Sequence, residues 1–218
     1  MATPLRQVRE RELVAATRAL FDERGMQHAP VEEIAKAVGI ARGLIYRHFS
    51  SKEELYVLTV TDYLAELEGE LAAATGGGGD PVACTTRLLE AYASFCRRFP
   101  AFLDCSMSLM QRPARGLRET VSDAVWLRLG QAMAPCLEHV AATLRSGTEA
   151  GVFSVEDPDL MANLLWTQVL GAMHLARLGV GVRQAAPGVP DLFAVDDDDV
   201  VRACVRSALA TIGAPPPA

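Results

Sequence analysis

Residues 31–55, VEEIAKAVGIARGLIYRHFSSKEEL, constrain the fold more than any other part of this 218-residue chain. Apolar side chains fall at Ile34, Val38, Ile40, Ile45 and Phe49. That spacing predicts two short crossed helices sharing one small core, joined by a tight turn. Ala35 and Gly39 are expected where the two helices come closest. A side chain larger than methyl at 35 would push them apart, and Gly39 can take the positive φ of the turn without steric cost. The outward face of the second helix carries Arg42, Tyr46, Arg47 and His48, all donors that suit phosphate oxygens or base edges. A third helix is expected from Ser51, with Ser51 as N-cap and Glu54 as its capping-box partner.

Charge is distributed in a way that fits such a use. The net charge is −6, but residues 1–56 hold nine basic and eight acidic side chains, while residues 57–218 hold twelve and nineteen. A near-neutral head with arginines on one face is thus joined to an acidic body that would repel DNA elsewhere. Half the residues are hydrophobic and 22% are charged, a globular composition. No apolar run is long enough to span a membrane, and the N-terminus has no apolar signal core, so a cytoplasmic protein is expected. The five cysteines, Cys84, Cys96, Cys105, Cys136 and Cys204, are scattered without CxxC spacing and read as reduced buried thiols.

Along the chain the signals are helical almost throughout, which predicts an all-α fold of about nine helices. Thr3-Pro4 reads as an N-cap followed by proline at the first helical position, and Gly25 ends that helix. Its start carries Arg6, Arg9 and Arg11, solvated singly but able as a group to meet a nucleic-acid backbone. Pro30 is expected at the first position of the next helix and Gly39 at its close. The helix from Ser51 stops at Gly76-Gly77-Gly78-Gly79 and is taken as the link between two domains. Asp80-Pro81 starts another, Pro100 restarts the chain, and a helix over residues 117–147 is expected to kink or break at Pro135. Asp157-Pro158 begins a helix to Leu178, and residues 179–195, rich in Gly and Pro, read as a loop. Asp196 to Asp199 place carboxylates at the start of the last helix, where the dipole favours them; they read as solvated caps, and no metal site or cofactor is expected.

The helix over residues 158–178 is apolar nearly all the way round, so it should be buried on all sides. One side could meet its own bundle and the other a partner subunit, with the final helix completing a two-helix face that pairs with its copy. The candidate dimer residues are Leu164, Leu165 and Met173 on the first helix and Val201, Val205 and Leu209 on the second. Candidates for an apolar effector pocket are Phe95, Phe102, Met107, Met110 and Trp126, together with Met133, Trp166, Leu170 and His174. A helical bundle needs such side chains for its core alone, and taken singly each reads first as core. No GxGxxG, P-loop, GxSxG, HExxH or CxxC occurs, and Glu138 and His139, as neighbours on a helix, do not face each other; no enzyme is expected.

The sequence resembles the tetracycline-repressor (TetR) family of transcriptional regulators. The residues that carry the likeness are Leu20-Phe21-Asp22-Glu23-Arg24-Gly25, then Val31-x-x-Ile34-Ala35-x-x-Val38-Gly39-Ile40, then Gly43-x-Ile45-Tyr46-x-His48-Phe49-x-Ser51-Lys52-Glu53-x-Leu55. The resemblance implies an N-terminal three-helix DNA-binding domain (residues 1–50) and a helical effector-binding and dimerisation domain (residues 51–218). It implies that Tyr46, His48 and Lys52 hold phosphates and that Arg42, Gly43, Leu44 and Arg47 face bases or backbone. It further implies a homodimeric repressor on a pseudo-palindromic double-stranded operator, released by a small hydrophobic or amphipathic effector. A DNA-binding regulator without an effector, or one switched by a protein partner, is the alternative. Two positions depart from the family pattern. Ala29-Pro30 stands where many members have a hydroxyl pair before the second helix, and Leu44 stands where many have a small polar residue.

Overall fold

The computed structural model describes residues 4–25, 30–77, 79–110 and 119–214. Among these are nine α-helices and one antiparallel hairpin: α1 (Pro4–Arg24), α2 (Val31–Ala37), α3 (Arg42–His48), α4 (Lys52–Thr75), α5 (Pro81–Arg98), α6 (Pro100–Met110), α7 (Asp123–Glu149), α8 (Pro158–Leu178), β1 (Val180–Ala186), β2 (Val189–Ala194) and α9 (Asp197–Thr211). The all-α architecture read from the sequence is present, with the hairpin as an addition. No described helix is long and apolar enough to cross a membrane.

The chain forms two compact units. One comprises the residues up to Glu66 with Phe99–Ala134; the other comprises Leu67–Arg98 with Pro135 onward. These units are geometric, whereas the division expected at residue 50 concerns function. Both α4 and α7 begin in the first unit and end in the second.

In the first unit α1, α2 and α3 pack together over Leu13, Phe21, Ile34, Ile45 and Phe49, all essentially inaccessible to solvent. Burying each such side chain is worth roughly 1.5–3 kcal/mol, which holds α2 and α3, seven residues each, in a form too short to persist alone. Thr3, the expected cap of α1, lies outside the described residues. Gly25 ends α1 at φ +79°, its N–H donating to the Phe21 carbonyl at 2.8 Å. Pro30 is the N-cap of α2 rather than its first helical residue, with ψ 153° and no side-chain cap. Gly39 takes φ +70°, but nothing lies within 4 Å of where a Cβ would sit. The turn therefore needs Gly39 for its backbone and not, as expected, for close approach; buried Ala35 occupies the crowded position. Tyr63 of α4 anchors the lower core, donating to Asp22 at 2.5 Å and packing on Phe99 and Phe102. Arg18 lies over its ring at 4.2 Å while pairing with Asp62 and Glu66.

In the second unit α5, α8 and α9 pack on one another. Tyr92 stacks on Trp166 with ring centroids 4.2 Å apart. Asp157 caps α8 through the Leu160 N–H, and Gly179 closes it at φ 64°. Asp196 caps α9, accepting from the Asp198 and Asp199 N–H groups. Pro135 sits inside a continuous α7 rather than breaking it. Gly147 on α7 is fixed by packing, because a Cβ there would stand 2.1 Å from the Phe153 ring.

One expectation fails here. The stretch over 179–195 is a hairpin, not a loop: Val180 pairs with Ala194 and Val182 with Leu192. Pro187-Gly188 forms its two-residue turn, with Gly188 at φ +78°. The ring of Phe193 covers Gly181, where a Cβ would come within 2.3 Å of it. Helix α8 is not buried all round within the chain. Ala162, Leu165, Trp166, Val169, Leu170, Met173 and Ala176 face the core, and Leu160, Leu164, Leu175 and Leu178 on the other side are 41–60% exposed.

Candidate nucleic-acid interface

Helix α3 is positioned by one buried residue within it, Ile45, and by buried Phe49 at its C-cap. Ile45 and Phe49, four apart, point into the core, so Arg42, Gly43, Tyr46 and Arg47 must point outward, and all four are exposed. Leu44 and His48 lie half-buried at the edges of this face, and Lys52 is exposed on the first turn of α4. Of the seven predicted DNA-contact residues, five are thus exposed and two half-buried. Gly43 has open space around it, which lets a ligand come up to the backbone there.

The face is not uniformly available. Arg42 is held by Glu32 of α2 at 2.7 Å and lies 5.9 Å from the centroid of the Tyr46 ring. Its hydrogen bond to Tyr46 and the nearby Glu32 charge both favour the charged guanidinium. A phosphate reaching Arg42 has to compete with Glu32. The Nδ1 atom of His48 is buried without a hydrogen-bond partner. Two clefts flank α3. One, about 510 Å³, is lined by Arg9, Ile40, Leu44, Arg47 and His48. The other, about 480 Å³, includes Tyr46, Arg47 and His48 with Ser122 and Arg128 of the α7 end. Arg9 of α1 therefore joins the recognition face. The Arg6 side chain lies outside what the structure describes, and Arg11 is exposed.

Below α3, a polar latch fixes the start of α4. The Ser51 hydroxyl accepts from the Glu54 N–H at 3.0 Å, the expected half of the capping box. The reciprocal half is displaced by one residue: Glu54 accepts from the Ser50 N–H at 2.5 Å and the Ser50 hydroxyl at 2.8 Å. The same carboxylate accepts from the Ser122 hydroxyl, and Ser51 donates to the Thr120 carbonyl at 2.6 Å. Burial at 5% exposure would by itself raise the Glu54 pKa. The donors from Ser122 and Ser50 outweigh it and hold the carboxyl below its ordinary range. Ser122 and Thr120 are 68 and 69 residues from their partners, so no local pattern could reveal them.

The other candidate residues are dispersed. Phe95, Trp166 and Leu170 are core residues of the second unit, and Phe102 is core in the first. Met107, Trp126 and Met133 are half-buried in the first unit, while Met110 and His174 are exposed. Of the dimer candidates, Leu164 is exposed and Val201 half-buried; Leu165, Met173, Val205 and Leu209 are buried within their own unit. All five cysteines are free and buried, and burial pushes Cys105 and Cys136 up to about 12, which leaves them as unreactive thiols. Among the described residues no group of three or more His, Cys, Asp or Glu side chains could hold a metal ion.

This is a helix-turn-helix protein whose second helix is turned outward on a two-residue apolar anchor. The family model for bacterial regulatory proteins of the tetR family matches residues 13–58. The HTH-type transcriptional regulator HbdR of Aromatoleum sp. (strain CIB) is 29% identical over 110 residues, 50% of this chain and 46% of that protein. The HTH-type transcriptional regulator TtgR of Pseudomonas putida is 36% identical over 80 residues, 36% of this chain and 38% of that protein. The chain thus matches less than half the length of either regulator. In fold, it is similar to RolR crystallised with resorcinol, with a TM-score of 0.68 and 19% identity over 98% of this chain and 91% of that one. It is likewise similar to Thermus thermophilus FadR in complex with lauroyl-CoA, with a TM-score of 0.65 and 21% identity over 96% and 99%. The likeness to the tetR family is thus carried by residues 13–58, and over the rest of the chain the solved structures show a shared fold.

Proposed function

We propose that this protein is a cytoplasmic transcriptional repressor, not an enzyme, that binds a pseudo-palindromic operator as a homodimer and is released by a small effector. The observation that carries the reading is the outward face of α3: Arg42, Tyr46 and Arg47 exposed over buried Ile45 and Phe49. Tyr46, His48 and Lys52 suit phosphates; Arg42, Gly43, Leu44 and Arg47 suit base edges and the adjoining backbone, Leu44 through a thymine methyl. In a dimer, two such helices would enter successive major grooves about 34 Å apart.

The outward leucines of α8 support the dimer. Leu160, Leu164, Leu175 and Leu178 recur at helical spacing on one exposed stripe, which a second copy would cover. Release by an effector draws support from RolR and FadR, whose structures hold resorcinol and lauroyl-CoA. Effector and operator must then weaken each other's binding by the same factor. Helices α4 and α7, which both start at the Glu54 latch and end in the second unit, are the elements that would carry this coupling.

Selection of bound sequences from random duplex DNA tests the reading. A recovered inverted repeat supports it; no enrichment over the starting pool overturns it.

A further inference from the structure

The second unit holds a cleft of about 380 Å³ between the end of α4, the start of α5 and the middle of α7. Its polar lining comes from Thr75, Cys84, Glu138, His139, Thr143 and Ser146, over an apolar floor that includes Pro81 and Ala142. None of these residues stands out in the sequence as pocket-forming, because hydroxyls on helices have no characteristic pattern.

Following the protons shows what such a lining can offer. Thr143 donates its hydroxyl proton to the His139 carbonyl at 2.9 Å. Thr75 donates to the Ala72 carbonyl at 2.9 Å. Cys84 Sγ lies 3.6 Å from Thr143 Oγ1, and because the Thr143 proton is already placed, the thiol is the donor in that contact. His139 Nε2 stands 3.2 Å from Glu68 Oε1, and a carboxylate there accepts, so Nε2 carries the proton and Nδ1 is left as an acceptor. Glu138, paired with Arg145, contributes carboxylate oxygens. Thr75, Cys84, Thr143 and the Nε2 of His139 have therefore spent their protons within the fold. What remains toward the cleft is mainly lone pairs, and only the Ser146 hydroxyl can turn either way.

We propose that this cleft binds a small amine with a short apolar body, its ammonium group donating to Thr143, Thr75 and Glu138 and its body lying on Pro81 and Ala142. Three N–H donors match three acceptors, which offsets the cost of taking the charge out of water. The acidic surplus of residues 57–218 favours a cation over an anion. The volume falls within the range of small-ligand sites. The inference rests on the effector reading above for its regulatory meaning, and it supplies the class of that effector.

Calorimetric titration of the full chain with a matched set tests it: tyramine, tyrosol and 3-(4-hydroxyphenyl)propionate, which differ in carrying an ammonium, a hydroxyl or a carboxylate. Tyramine should bind about tenfold or more tightly than the other two. Thr143→Val should weaken tyramine about tenfold and Thr143→Ser should not. Glu138→Gln, at an exposed side chain paired with Arg145, should weaken it by a similar factor. No tyramine binding up to about 1 mM, a preference for the carboxylate, or equal affinity in all variants overturns the site. Operator binding measured in the same samples separates the two readings. If tyramine binds as stated and leaves operator affinity unchanged, the amine site stands and effector control falls. If the operator is bound normally and no amine binds, the amine site falls and the DNA-binding reading stands.

Discussion

Helices α3 and α8 each bury one side and leave the other open, yet the open sides differ in kind. That of α3 carries two guanidinium groups and a phenol; that of α8 carries four leucines. The anchors differ as well. The seven residues of α3 depend on Ile45 and Phe49, while the 21 residues of α8 have seven core side chains and a cap at each end. A helix that meets a polar polymer can be short and rest on little, since the partner contributes hydrogen bonds and counterion release. A helix that meets an apolar copy of itself needs length, because its partner contributes area. On the proposed reading, the open side of each helix therefore indicates its partner more directly than the buried side does.

The largest expected effect is on the weaker anchor. Phe49→Ala removes one of the two residues that seat α3 and should cost about 3–5 kcal/mol, enough to disorder the first unit. Thermal unfolding should show an early transition for that unit; an unchanged melt would mean that α3 is held by something other than its core contacts. Next is the α8 stripe. Leu164→Glu with Leu175→Glu should weaken dimerisation about a hundredfold while leaving the melting of the dilute protein unchanged, as read by sedimentation. A dimer that survives both charges would put the interface elsewhere.

The Glu54 latch should have a smaller and pH-dependent effect. Glu54→Gln keeps the shape but replaces charge-assisted bonds from Ser50 and Ser122, at a cost of about 1–3 kcal/mol near neutral pH. The folded-state carboxyl is held below its ordinary range, so its contribution is fully present above the unfolded-state value and is lost as pH falls through the folded value. The gap between wild type and variant should therefore close on acidification. A gap that widened toward acid would reverse the sign of the linkage and remove Glu54 from the latch as a charged group.

Much of the first unit is legible in the sequence because its signals are local. Ile34, Ile45 and Phe49 announce their burial by spacing, Gly25 and Gly39 announce turns, and Ser51 announces a helix start. Where partners lie far apart in the chain, the sequence is silent. Nothing near Glu54 points to Ser122, and nothing near Glu68 points to His139. Pairings between neighbouring helices, such as Glu32 with Arg42, depend on rotamers that no periodicity encodes. The hairpin escapes a sequence reading for another reason. Its strands are exposed on both faces apart from Gly181 and Asp191, so they lack the alternation that marks a strand, and its Pro187-Gly188 turn looks like loop composition. On α8 the sequence shows the apolar side chains, but an uninterrupted apolar surface gives no sign of which leucines the chain itself will cover.

The most direct test of the central claim, that the exposed face of α3 reads DNA, is fluorescence anisotropy of the selected operator with wild type and Arg47→Ala over a range of salt concentrations. Arg47 is exposed and not among the buried residues that seat α3, so its loss should leave folding and dimerisation unchanged. The account predicts an affinity loss of about tenfold or more, confined to the specific site if Arg47 contacts a base, or spread over all sequences with a shallower salt slope if it contacts phosphate. Unchanged affinity and salt slope in a folded, dimeric variant would contradict it.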